Sequence, residues 1–274
     1  MVKLVPPKVN SIAIIFILLA GSVAAALIPK LNQPAYAHTF TGDESASFLS
    51  VMKILQAESN LVKTNLASNP TLAQEHAKAV VKVVNGNHTF GVLPDEVSEN
   101  NKRVASDIIK GANSLQTTVN SKTAPTPSDV GAKINYLNGV LQEAVTVRVP
   151  KTHVNNSTIN AQATKDLVNE TLRQYGYAFG ISKGNSAAAS SISNMSAFQS
   201  AQELASQSQS MLSQAKSLVP KNETSTMTTS ISKIATDLTQ LKNSIDTKSP
   251  YDTVANLVQK TIYPGLNTAF HLKK

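Results

Sequence analysis

The chain has 274 residues, 41% of them hydrophobic, with no Cys or Trp and a formal charge of +8. That length and apolar content exclude a disordered chain and suit one large or two small domains. The lack of Cys excludes thiol catalysis and a disulfide framework, and scattered lysines without an Arg-rich stripe or interleaved aromatics give no ground for expecting nucleic-acid binding.

Residues 1–37 read as an export leader. Lys3 and Lys8 precede an apolar run from Ile12 to Ile28, and Ala35-Tyr36-Ala37 follows as a small-x-small cleavage signature. The expectation is an extracellular or cell-envelope protein that begins at His38. The alternative is an uncleaved membrane anchor, because an apolar run of about 17 residues reaches the lower limit of a span. Cleavage removes Lys3, Lys8 and Lys30, so 22 of the 25 basic residues remain against 17 acidic ones. The six Asn-x-Ser/Thr triplets, beginning at Asn87 and Asn155, are about as frequent as this Ser- and Thr-rich composition produces by chance.

From Glu44 to Ala67, Phe48, Val51, Met52, Leu55, Val62 and Leu66 recur at helical spacing. Asn69-Pro70 then opens a second helix with Leu72, His76, Val80 and Val83 on one face, which stops at Asn85-Gly86. A third helix starts at Pro94, with Val97, Val104, Ile108 and Leu115 in register. Pro125 to Ser128 separates it from a fourth that Pro150 ends. After a polar linker, Lys151 to Ser157, a fifth helix reaches about Phe179, and a Gly, Asn, Ser and Ala stretch leads to a sixth with Leu204, Met211 and Leu218. The seventh carries Ile231, Ile234, Leu238, Leu241 and Ile245. Ser249-Pro250 opens an eighth, expected to break at Pro264.

The fold class expected is therefore all-α. Ala73-Gln74-Glu75-His76-Ala77 is echoed by Ala201-Gln202-Glu203-Leu204-Ala205, and Val104 to Ile108 by Ile234 to Leu238, which predicts an internal duplication. Short connections then favour two tandem up-down four-helix bundles, residues 38–150 and 151–274, behind the N-terminal signal or anchor helix. Around Ala37-His38-Thr39-Phe40, Glu44 to Glu58 and Leu72 to Ala77, the sequence resembles a family of uncharacterised secreted helical proteins of ammonia-oxidising archaea. The resemblance implies a cell-envelope setting and assigns no role to any residue.

Chemistry concentrates on five histidines, His38, His76, His88, His153 and His271. An N-terminal His38 offers an α-amine and an imidazole to one ion, a chelate that suits copper or another transition metal. In an up-down bundle His88 and His153 emerge at the same end as His38, so the candidate metal ligands are His38, His88 and His153. His76 instead interrupts an apolar stripe, at the position that Leu204 holds in the second half. It reads as a buried polar residue that needs a hydrogen-bonding partner, or else as a ligand or proton-linked switch.

No Glu-x-x-His pair, covalent-haem motif, phosphate loop or nucleophile elbow occurs, and Met52 reads as core filling, with a haem-b ligand beside a His as the alternative. The function expected is binding rather than catalysis, with a cell-envelope or extracellular partner. Membrane contact is expected only through the N-terminal segment, and copper-type metal binding is the alternative function.

Overall fold

A computed structural model describes residues 38–86, 91–181, 191–221 and 225–272; the expected leader and His88 lie outside the described residues. The described residues are all-α, with no strand among them. The helices are α1 (Gly42–Asn65), α2 (Pro70–Val84), α3 (Leu93–Ser98), α4 (Lys102–Val119), α5 (Pro127–Arg148) and α6 (Lys151–Val154). They continue as α7 (Ser157–Ala178), α8 (Met195–Ser217), α9 (Ser225–Asp246), α10 (Tyr251–Leu257), a π-helical turn (Val258–Ile262) and α11 (Tyr263–Phe270).

Helix ends follow side-chain chemistry. Thr41 and Glu44 form a reciprocal capping box at α1. Asn69, Asn101, Thr126, Asn156 and Asn194 each accept a backbone N–H of the helix they open. Asn101 explains one departure from the periodicity: Val97 and Val104 lie in a single register, yet the cap divides that segment into α3 and α4. The expected linker at Lys151 holds a helical turn of its own, α6.

Pro264 does not break the last helix. Residue 264 has no N–H for the carbonyl four positions earlier, and its ring would crowd that carbonyl. The five-residue π turn widens the helix just before it, and the chain stays helical to Phe270.

Residues His38–Lys274 form one compact unit. One core gathers Phe48, Leu55, Ile108, Leu115, Leu137 and Leu141 from the first half. Another gathers Tyr175, Phe198, Ile234, Leu241, Ile262 and Phe270 from the second. A third joins α1 to α7 and α8 through Leu49, Ile54, Ala57, Leu167, Leu204 and Met211. Helix α1 is thus central: it turns Val51 and Met52 to the first core and Leu49 and Ile54 to the seam. A helix enclosed on opposite sides has to bury most of its faces. Polar residues are buried with them, among them Glu58, Ser59 and Asn65. None of the described helices is long and apolar enough to cross a membrane.

Candidate functional site: a polar seam, a cleft and the His38 cluster

His76 is fully buried on α2. Its Nδ1 lies 2.7 Å from Glu58 Oε2 on α1, and its Nε2 lies 3.0 Å from Gln199 Oε1 on α8. Burying an imidazole without partners would be costly, so these contacts from two other helices let the position be polar.

The protons follow from the surrounding bonds. Asn65 Nδ2 donates to the Leu61 carbonyl at 2.9 Å and to Gln199 Oε1 at 2.9 Å, while Gln199 Nε2 donates to Asn65 Oδ1 at 3.2 Å. The Leu61 carbonyl fixes the Asn65 amide, and the Asn65 amide fixes that of Gln199. Gln199 therefore presents an acceptor to Nε2, which has to carry a proton. On the other side Glu58 also accepts from Ser200 Oγ at 2.6 Å. With Nε2 committed to Gln199, the remaining proton of the pair lies in the Nδ1–Glu58 contact, and the raised pKa of His76 assigns it to Nδ1, making the ring an imidazolium. Burial alone would lower the His76 pKa. The hydrogen bond and charge of Glu58, helped by Gln199 and Glu75, raise it instead.

Glu58, His76 and Ser200 form part of the lining of a cleft of about 620 Å³. Lys78 and Lys82 extend along the α2 wall, and α7 contributes Glu170, Arg173 and Tyr177. The guanidinium of Arg173 donates to Glu170 at 2.6 and 2.5 Å and to the Tyr177 hydroxyl at 3.1 Å. The start of α8 adds Met195 and Ser196. Although Ser, His and Glu lie together here, their order does not suit nucleophilic catalysis. Ser200 bonds the carboxylate, and Nε2, the atom that would activate a hydroxyl, is held by Gln199.

The second cluster surrounds His38. Its Nδ1 is 2.9 Å from Glu99 Oε2 and its Nε2 is 3.4 Å from Glu44 Oε1. Arg148, at the end of α5, has a side chain only 1% exposed. It donates to the His38 carbonyl at 2.7 Å and to Glu99 at 3.0 Å, reaches Glu96 at 3.5 Å, and lies 3.8 Å over the Phe40 ring. The Thr41 backbone N–H donates to Glu44 and holds its carboxyl below the ordinary value, with His38 contributing. His38, Glu96 and Glu99 bring one ligand atom each to within 4.8 Å of one another, a grouping in which Glu96 and Glu99 are one turn apart around α3.

Of the sequence candidates, His38 and His153 both meet the first turn of α1, because the Nδ1 of His153 lies 2.8 Å from Ser45 Oγ, the neighbour of Glu44. His88 lies outside the described residues. Sequence spacing did not point to Glu96, Glu99 or Arg148 around His38, nor to Glu58 and Gln199 around His76. The only available signal was an apolar stripe with an imidazole in it. Comparison with family models, with curated proteins and with solved structures finds no match to this chain.

Proposed function

We propose that the chain is an exported cell-envelope protein that acts by binding, and that the cleft between α2, α7 and α8 holds its ligand. The cleft carries this reading. Its volume of about 620 Å³ lies in the range of small-molecule sites, and its polar floor is fixed by the His76, Glu58 and Gln199 bonds before any ligand arrives. Export is supported by the apolar run from Ile12 to Ile28 and the cleavage signature ending at Ala37.

Ala79 lies half-buried in the cleft wall, so Ala79→Trp fills the space without touching the floor. In a thermal-shift screen of small polar metabolites, a true ligand present at a hundred times its Kd stabilises the native protein by about 2.7 kcal/mol. That raises Tm by roughly 5–10 °C in a domain of this size. The Ala79→Trp protein is expected to show no such shift. A compound that stabilises both proteins equally binds elsewhere and counts against the cleft.

A second reading, transition-metal binding, is favoured by one observation. The nitrogen that would close a chelate with an N-terminal amine, His38 Nδ1, is the one facing Glu99. The expected result is binding of about one copper ion by protein that starts at His38, through nitrogen and oxygen donors. One residue added before His38 turns the amine into an amide and weakens binding strongly, Glu99→Gln weakens it too, and His271→Ala leaves it unchanged. Calorimetry on these proteins decides, and copper affinity that ignores the added residue removes the chelate.

A further inference from the structure

We infer that the cleft between α2, α7 and α8 takes a small organic anion with an apolar or aromatic face, an assignment that rests on the cleft being a ligand site. The charges point to the anion. Glu58 is engaged by His76 and Ser200, and Glu170 by Arg173 and by Gln174 Nε2 at 2.7 Å. Both carboxylates are thus matched inside the protein. Lys78 and Lys82 stand one helical turn apart on the α2 wall, exposed, with no ion pair or hydrogen bond among the described residues, and Glu75 is the acidic group left beside them. Two lysines against one unmatched carboxylate leave the open end of the site with a surplus of positive charge among the described residues. The first turn of α8 adds the positive end of its dipole to the same lining.

The apolar requirement comes from the rim. Among the described residues the large hydrophobic side chains left exposed are Val92, Ile109, Tyr136, Tyr177 and Met195, and the last two both line this cleft. Tyr177 is 37% exposed, yet its hydroxyl accepts from Arg173, whose guanidinium lies 5.1 Å from the centre of the ring and is itself clamped by Glu170. A ring held in place at the mouth of a cavity costs little entropy to stack upon. Met195 is 45% exposed and adapts to whatever shape lies against it. Free lysines, a braced aromatic ring and a mobile thioether around one opening fit a molecule with a carboxylate, sulfonate or phosphate at one end and a ring or short chain at the other.

The test uses two dyes that share a ring system, anilinonaphthalene sulfonate and the uncharged N-phenylnaphthylamine, titrated by fluorescence onto folded protein. The sulfonate is expected to saturate a single site, to weaken with added salt, and to bind about tenfold more tightly than the neutral dye, the effect of one charge-assisted contact. Lys78→Gln with Lys82→Gln should remove that advantage. Lys78→Arg with Lys82→Arg should keep it, and Tyr177→Ala should weaken both dyes. These exposed substitutions leave the cores intact, and unchanged circular dichroism verifies folding. If both dyes bind equally, ignore the lysine replacements, and are both excluded by Ala79→Trp, the anion assignment is wrong while the cleft remains a binding site. If Ala79→Trp binds the sulfonate like the unaltered protein, the dye sits elsewhere, and the anion assignment falls together with the cleft reading.

Discussion

Replacing His76 with Leu is expected to lower the unfolding free energy by about 3–5 kcal/mol, the cost of leaving one partner of a buried ion pair alone. The sequence suggested the opposite. The duplication expected from the sequence pairs Leu204 with His76, so a leucine at 76 reads as a return to an apolar stripe, neutral or stabilising. The structure supplies the reason for the reversal: the Glu58 side chain is 3% exposed and its counter-charge is the imidazolium. Without it, Glu58 keeps only the Ser200 hydroxyl, and Gln199 loses one of the two donors at its oxygen and keeps that of Asn65. His76→Leu combined with Glu58→Met should recover much of the loss, since a buried pair exchanged for apolar groups of similar volume is often close to neutral.

Urea unfolding of the native protein and of this double variant across pH checks the protonation state as well. The folded pKa of His76 is raised above its unfolded value. The stability that its charge contributes is therefore complete below about pH 6.5 and is lost as pH rises through the folded value. The native protein should lose stability relative to the double variant on going alkaline. A difference that stays flat would mean that His76 does not carry the second proton.

How far the sequence could be read depended on the range of the interaction concerned. Helix starts are local: the Asn69-Pro70 pair opens α2 as read, and the Thr41–Glu44 box and the Asn194 cap, which apolar periodicity does not report, also lie within four residues of what they fix. Periodicity reported burial well, since Ile231, Ile234, Leu238, Leu241 and Ile245 are all inside. It could not detect the break at Asn101, because the apolar register runs on from Val97 to Val104, nor the π turn, because Pro264 looks like a terminator until the turn before it widens.

The sites were less legible because they are non-local. His76 could be picked out as an anomaly, but its partners lie 18 and 123 positions away, and nothing near Glu58 or Gln199 marks them as internal. Glu58, Ser59 and Asn65 look like the solvated side of an amphipathic helix. They are buried because α1 packs against α7 and α8 as well as against its own half, a fact of tertiary arrangement that no single helix records.

Arg148 was invisible for the same reason, and its replacement is the second large effect expected. Arg148→Met should cost about 2 kcal/mol, less than a fully buried pair. Its carboxylate partners Glu96 and Glu99 are 31% and 35% exposed and regain water when it leaves. Its Nε is buried with no partner among the described residues, which offsets part of what the guanidinium contributes. The loss should be local. Arg148 ties the His38 carbonyl to the end of α5 and covers the face of Phe40, whose ring packs against Phe48 at 5.5 Å in the first core. The Thr41–Glu44 cap does not depend on it. Amide exchange should therefore accelerate at the start of the compact unit, up to Thr41, while α1 beyond the cap keeps its protection. Arg148→Lys should not restore the native behaviour, because an ammonium is a point charge that cannot bond the His38 carbonyl and Glu99 while lying flat on Phe40. Hydrogen exchange on the three proteins separates the outcomes. Uniform protection in Arg148→Met, or full rescue by Lys, would show that the guanidinium does not hold the N-terminal segment in place.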